Sequence, residues 1–165
     1  MTYASVVSRE SVHIALTIDT LNDLEVKKSD IHNVYLTAHC SVKIWTTLGS
    51  EFGPDLAGKE SLAVRALYGN KSAGASFRNH LAECMINLGY SSFLADPDLW
   101  FKEETRPSDG AKYYAYFLIY VNDFLVIHLA VDTALHELDN FFKIKSGSIG
   151  YPNIYLGAKT RKFVL

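Results

Sequence analysis

Cysteine is almost absent. Only Cys40 and Cys84 occur, far apart and at no spacing that suits a metal, so both read as reduced, intracellular thiols. His39 beside Cys40 does not alter this, because adjacent side chains do not readily share one tetrahedral ion. No apolar run reaches the roughly 18 residues that a membrane-spanning helix needs, and no apolar segment follows Met1 as a targeting peptide requires. A membrane partner is therefore not expected, and an intracellular location is. An excess of positive charge is missing too: 16 Lys and Arg against 18 Asp and Glu leave −2, which excludes a chain that coats nucleic acid by bulk charge. Internal repeats, low-complexity tracts and a convincing linker are lacking, so residues 1–165 read as a single domain.

What is present is apolar and aromatic. Hydrophobic residues make up 48% of the chain and aromatics 13%, enough for a packed core, and the aromatic load favours a fold with a sheet. The densest stretch is Tyr113-Tyr114-Ala115-Tyr116-Phe117-Leu118-Ile119, then Tyr120-Val121-Asn122-Asp123, then Phe124-Leu125-Val126-Ile127. Two β-branched and aromatic runs flank a polar pair, which predicts a hairpin lifting Asn122 and Asp123 at its tip. By itself such a pair is an ordinary turn. Charge also clusters locally: Lys143, Lys145, Lys159, Arg161 and Lys162 fall after residue 142 with no acidic residue among them. That suits either a phosphate backbone or a solvated basic edge strand.

The rest of the chain alternates helix and strand. Residues 8–24 read as a helix with Ile14, Ile18 and Leu21 as its apolar stripe and Ser8 or Ser11 as its cap. A strand broken by Lys27-Lys28 leads to Asp30-Ile31, with Tyr35 five residues past Asp30. Residues 43–47 and 62–67 are strand candidates around a Gly- and Pro-punctuated loop. A turn at Gly69 enters a helix whose stripe is Phe77, Leu81, Met85 and Leu88, closed by Gly89. Lys71 and Arg78 near its start suit phosphate. Strand 99–101, the loop 106–110, the hairpin, a helix over 130–142 and a last strand over 153–159 complete the order. The second half is a split β-α-β arrangement of antiparallel strands with helices on one face.

Five motifs in this order carry a resemblance: Asp30 followed by Tyr35; Arg65-Ala66-Leu67-Tyr68-Gly69-Asn70-Lys71-Ser72-Ala73 opening a helix; Leu88-Gly89-Tyr90 with Ala95-Asp96-Pro97-Asp98-Leu99-Trp100; the Tyr120-Val121-Asn122-Asp123 tip; and Phe142-Lys143-Ile144-Lys145 with Tyr155-Leu156-Gly157. Together they resemble the reverse transcriptase of copia-type (Pseudoviridae) LTR retrotransposons. The resemblance implies an α+β right-hand polymerase palm with part of the fingers, the thumb and ribonuclease H domain being absent. It implies RNA-directed DNA synthesis on an RNA or DNA template-primer with deoxynucleoside triphosphates. It also implies partners in the rest of the retrotransposon polyprotein, and a location in the cytoplasm or a virus-like particle. Asp30 and Asp123 become carboxylate ligands of two Mg²⁺ or Mn²⁺ ions, which activate the primer hydroxyl and neutralise charge on the triphosphate. Tyr35 becomes the aromatic under the incoming sugar, excluding a 2′-hydroxyl, and Lys71 and Lys145 its phosphate-side neighbours. Tyr120, Arg78, Lys159 and Arg161 become nucleic-acid contacts.

Asn122 departs from the family pattern. It stands where the first Asp of a Tyr-Val-Asp-Asp tip acts as a direct ligand. An amide oxygen can coordinate but brings no charge, so the reading expects a polymerase impaired by Asn122 and by the missing thumb. Two competing readings are a non-enzymatic nucleic-acid-binding remnant and a ferredoxin-like interaction domain. Asn122 bears on the first, since it affects chemistry rather than binding. Indifference to a primer-template duplex at low salt would favour the second.

Overall fold

The computed structural model describes residues 6–161 and opens on a capped helix. Helix α1 (Arg9–Leu21) starts at Ser8, whose hydroxyl accepts the Ser11 amide at 3.1 Å. A distant residue completes the cap: the Asp96 carboxylate accepts the Ser8 amide at 2.9 Å and the Ser11 hydroxyl at 2.5 Å. Burial pushes the Asp96 carboxyl up, but the hydrogen bonds from Ser11 and Ser8 outweigh it, and the group titrates below the usual carboxylate range. The helix is where the spacing places it, yet its stripe faces the other way. Ile14 and Leu21 are 60% and 78% exposed, while Val12 and Ala15 are buried. Spacing alone cannot choose between two faces that both carry apolar residues.

Strand β1 (Glu25–Asp30) follows, unbroken by its lysines. At Asn33 the backbone turns left-handed, with φ of 50°, into a short 3₁₀ turn Val34–Thr37. Strands β2 (Trp45–Thr47) and β3 (Glu60–Leu62) form a small antiparallel hairpin. The strand expected over 62–67 therefore ends at its start, and Arg65 keeps only a single bridge to His39. Helix α2 (Ala73–Asn87) ends in a left-handed Gly89 with φ of 86°, where the Tyr90 amide reaches back to the Met85 carbonyl and the Gly89 amide to that of Ile86. This is the C-terminal closure that glycine is suited to make. Strands β4 (Ser91–Ser92), β5 (Leu99–Thr105), β6 (Lys112–Tyr120) and β7 (Asp123–His128) come next, then helix α3 (Val131–Asp139). The single strand expected over 153–159 is instead a tight hairpin, β8 (Ile154–Tyr155) and β9 (Ala158–Lys159). Leu156 and Gly157 both take positive φ at its turn.

The described residues divide into two compact units: residues 33–82, and residues 6–32 with 83–161. The first holds the β2–β3 hairpin and the opening of α2. Its aromatic cluster sets the Tyr35 ring 4.7 Å from Tyr68 and 6.3 Å from Phe77. The second is built on a five-stranded antiparallel sheet in the order β1-β7-β6-β5-β4, so the fold is mixed α+β. Strand alternation sends Phe117, Phe124 and Val126 to one face and Leu118, Leu125 and Ile127 to the other, and all six are fully buried. Helix α3 lies on the first face, where Asp132 pairs with Lys27 at 2.6 Å. Toward the second face comes Tyr155, whose hydroxyl donates to the Leu118 carbonyl at 3.4 Å. The centre of the sheet is thus covered on both sides.

Candidate functional site

Three strands bring one row of side chains together. Asp30 ends β1 and is the register partner of Asp123, which begins β7, and Asp123 is in turn the partner of Tyr120 at the end of β6. Directly opposed residues share a face, so Asp30, Asp123 and Tyr120 stand side by side although 92 positions separate Asp30 from Asn122. The Ile31 amide donates to the Asn122 carbonyl at 3.0 Å just beyond them. This makes Asp30 and Asp123 a non-hydrogen-bonded pair, the class in which opposed side chains come closest, with Cα atoms about 4.5 Å apart.

The hairpin turn differs from the sequence reading by one residue. Its central residues are Val121 and Asn122, and Asp123 already belongs to β7. Val121 takes φ of 58° while Asn122 does not enter the positive region, the pattern of a type II′ turn. Glycine is the usual occupant there, and a β-branched residue is strained. Asn122 then folds back over the row. Its side-chain amide donates to Asp30 Oδ1 at 2.8 Å.

A second element reaches the same carboxylate. Residues 143–150 run along the free edge of β1. The Lys145 amide donates to the Asp30 carbonyl at 2.8 Å, the His32 amide to the Lys143 carbonyl at 2.8 Å, and Lys28 and Gly150 exchange amide-to-carbonyl bonds. The Asp30 amide donates to the Ser148 hydroxyl at 3.1 Å. Held by its own backbone, Lys145 extends its ammonium to 3.6 Å from Asp30 Oδ2. Each oxygen of Asp30 thus meets a donor or cation of the chain itself.

The Asp123 carboxyl is raised above its usual range. Burial is the larger cause and the negative charge of Asp30 the next, partly offset by Lys28 and Lys145. Close by, burial and then the Asp123 charge push the Tyr155 phenol up, so that it stays protonated at any ordinary pH. The donor chemistry, two adjacent carboxylates with a carboxamide, suits one hard divalent ion. Among the described residues no cluster of three or more His, Cys, Asp or Glu side chains is gathered.

The expected site residues fall into separate groups. Asp30, Asn122, Asp123, Tyr120 and Lys145 come together in the second unit. Lys159 and Arg161 lie at the terminal hairpin of that unit. Tyr35, Lys71 and Arg78 belong to the first unit. There Tyr35 is half-buried among aromatics, Lys71 is exposed in the turn before α2, and Arg78 is half-buried in that helix.

No family model, curated protein or solved structure matches the chain.

The sequence gives no site role to Lys28, Ser148 or Tyr155, although Tyr155 stands in one of the five motifs. Lys28 was within reach, since it lies two residues before Asp30 in a strand and so on the same face. Ser148 and Tyr155 act through an irregular segment and a two-residue strand, which leave no periodic signal.

Proposed function

We propose that this chain is the palm-and-fingers part of an RNA-directed DNA polymerase of the copia type, with its chemistry impaired at Asn122. The observation that supports the reading is the pairing of Asp30 with Asp123 across β1 and β7, at the tip of an aromatic hairpin, with Asn122 against them. A nucleotidyl-transfer site of this class needs carboxylates on rigid strand ends. Asp30 and Asp123 would hold a Mg²⁺ or Mn²⁺ ion, which when bound supplies charge neutralisation for phosphoryl transfer. Tyr120 borders the carboxylates on the face where a primer end would lie. Lys145, tethered through its backbone amide, is placed to meet a phosphate once it leaves Asp30.

A second reading has a specific observation in its favour. Asp30 is already satisfied by the Asn122 amide and the Lys145 ammonium. A chain so neutralised would bind nucleic acid without turning it over, as a catalytically silent remnant.

Primer extension on an RNA template with Mg²⁺ or Mn²⁺ separates the two. The native chain is expected to extend weakly or not at all. Asn122→Asp is expected to tighten divalent-ion binding in calorimetry and to restore slow extension, and Asp30→Asn to abolish both. If Asn122→Asp gives no gain in ion binding, the polymerase reading is wrong. If the native chain extends as well as Asn122→Asp, the amide is a working ligand and the claim of impairment fails.

A further inference from the structure

The second unit has a cleft that neither Asp30 nor Asp123 lines. One face of α1 presents Arg9, Val12, His13 and Leu16, spaced i, i+3, i+4 and i+7. Opposite them stands the β8–β9 hairpin with the residues after it, through Arg161. Between them lies a cavity of about 270 Å³, just below the roughly 300–1,000 Å³ of sites that hold drug-sized ligands.

Its walls have two characters. Val12 and Tyr155 are buried and Leu16 is half-buried, which makes an apolar floor with one aromatic ring. Arg9, Lys159 and Arg161 are exposed at the rim. Among the described residues, none of these three has a carboxylate partner, and no acidic side chain lines the cavity. Three cations around one apolar slot, in a chain whose net charge is −2, form a local surplus of positive charge among the described residues.

We infer that this cleft binds a nucleoside phosphate, with the base on the apolar floor beside Tyr155 and the phosphates on Arg9, Lys159 and Arg161. Charge selects the ligand class. A single carboxylate would leave two of the three cations unmatched, whereas a diphosphate offers several anionic oxygens, and guanidinium groups match phosphate with paired hydrogen bonds. The apolar floor selects against bare pyrophosphate, which has nothing to place there. Asp30 and Asp123 do not line the site, so it is separable from the carboxylate row, although Lys159 and Arg161 are also the residues that the polymerase reading assigns to nucleic acid.

The test is calorimetric titration of the native chain with adenosine 5′-diphosphate in EDTA and low salt, so that metal bridging at the carboxylate row contributes nothing. Pyrophosphate and oleate are titrated in parallel. The diphosphate is expected to bind at least about tenfold more tightly than either, equivalent to about 1.4 kcal/mol. The double variant Lys159→Glu/Arg161→Glu is expected to weaken it by about tenfold or more. Leu16→Trp, which fills the floor, is expected to weaken it while the thermal midpoint stays within a few degrees. A Lys112→Glu control, on β6 and outside the cleft, is expected to bind as the native chain does. A short oligothymidylate then distinguishes the source: tighter binding than the free nucleotide assigns the cleft to a strand, weaker binding to a free nucleotide, and both agree with the inference. No heat with the diphosphate, equal affinity for pyrophosphate, tighter binding of oleate, or indifference to the double variant would each overturn it.

Discussion

Asp123 bears the cost of the carboxylate pair. Its folded-state titration is raised by burial and by Asp30, whereas in the unfolded chain it titrates near about 3.9. As pH rises from below that value, the unfolded state loses this proton first, so the group lowers stability progressively until its folded form also ionises. The penalty is then present in full once both states have ionised, and it vanishes in acid. Asp123→Asn is therefore expected to raise the urea midpoint at pH 7, with the gain shrinking toward pH 3. An equal gain at both pH values would show that charge is not the cause. Asn122 has the opposite role, since its amide gives Asp30 a donor where an aspartate would add a third negative charge. A hydrogen bond to a charged group contributes about 1.5–3 kcal/mol when buried. The site is only partly buried, so Asn122→Asp without divalent ions is expected to cost nearer about 1 kcal/mol, recovered on adding Mn²⁺. Paired melts with and without the ion measure it.

The hairpin and the first helix each make a prediction at the scale of the element. The β6–β7 turn forces Val121 into a left-handed conformation, φ 58°, which costs an L-residue about 1–2 kcal/mol. Glycine adopts it freely but loses about 0.5–1 kcal/mol of chain entropy. Val121→Gly is thus expected to leave stability unchanged or raise it by up to about 1 kcal/mol, although glycine at a strand end ordinarily weakens a sheet. A loss beyond about 1 kcal/mol in urea unfolding would mean that the Val121 side chain packs more than it strains. In α1 the buried residues are Val12 and Ala15 rather than Ile14 and Leu21. Ile14→Lys and Leu21→Lys are expected to change stability by less than about 0.5 kcal/mol, as exposed substitutions do, and Val12→Ala to cost about 2 kcal/mol. The reverse order in denaturation would place the helix on its other face.

Across the whole molecule, protection should follow burial. Strands β6 and β7 are interior to the five-stranded sheet, and Phe124, Leu125, Val126 and Ile127 are fully buried. The β2–β3 hairpin has three exposed residues in one strand and two in the other, and a lone hairpin is marginal in water. Amide exchange is expected to be slowest across residues 124–127 and fastest across 45–47 and 60–62. Equal rates in the two regions would contradict a stability concentrated in the central sheet.

Local signals needed no fold to be read. Ser8 before a helical period, Gly89 after one, and the two β-branched and aromatic runs around Tyr120-Val121-Asn122-Asp123 each depend on the conformational preference of a few neighbouring residues, and each is where the sequence indicates. Long-range choices were not legible. Which face of α1 is buried, that Asp96 caps it from 88 residues away, that residues 143–150 line the edge of β1, and that Tyr155 reaches Leu118 all follow from which elements meet. Periodicity states that a face exists but not what covers it. The row of Asp30, Asp123 and Tyr120 lies between these limits: the sequence marks each residue at a strand end, and only the antiparallel register of β1, β7 and β6, set by which strands exchange hydrogen bonds, makes them neighbours.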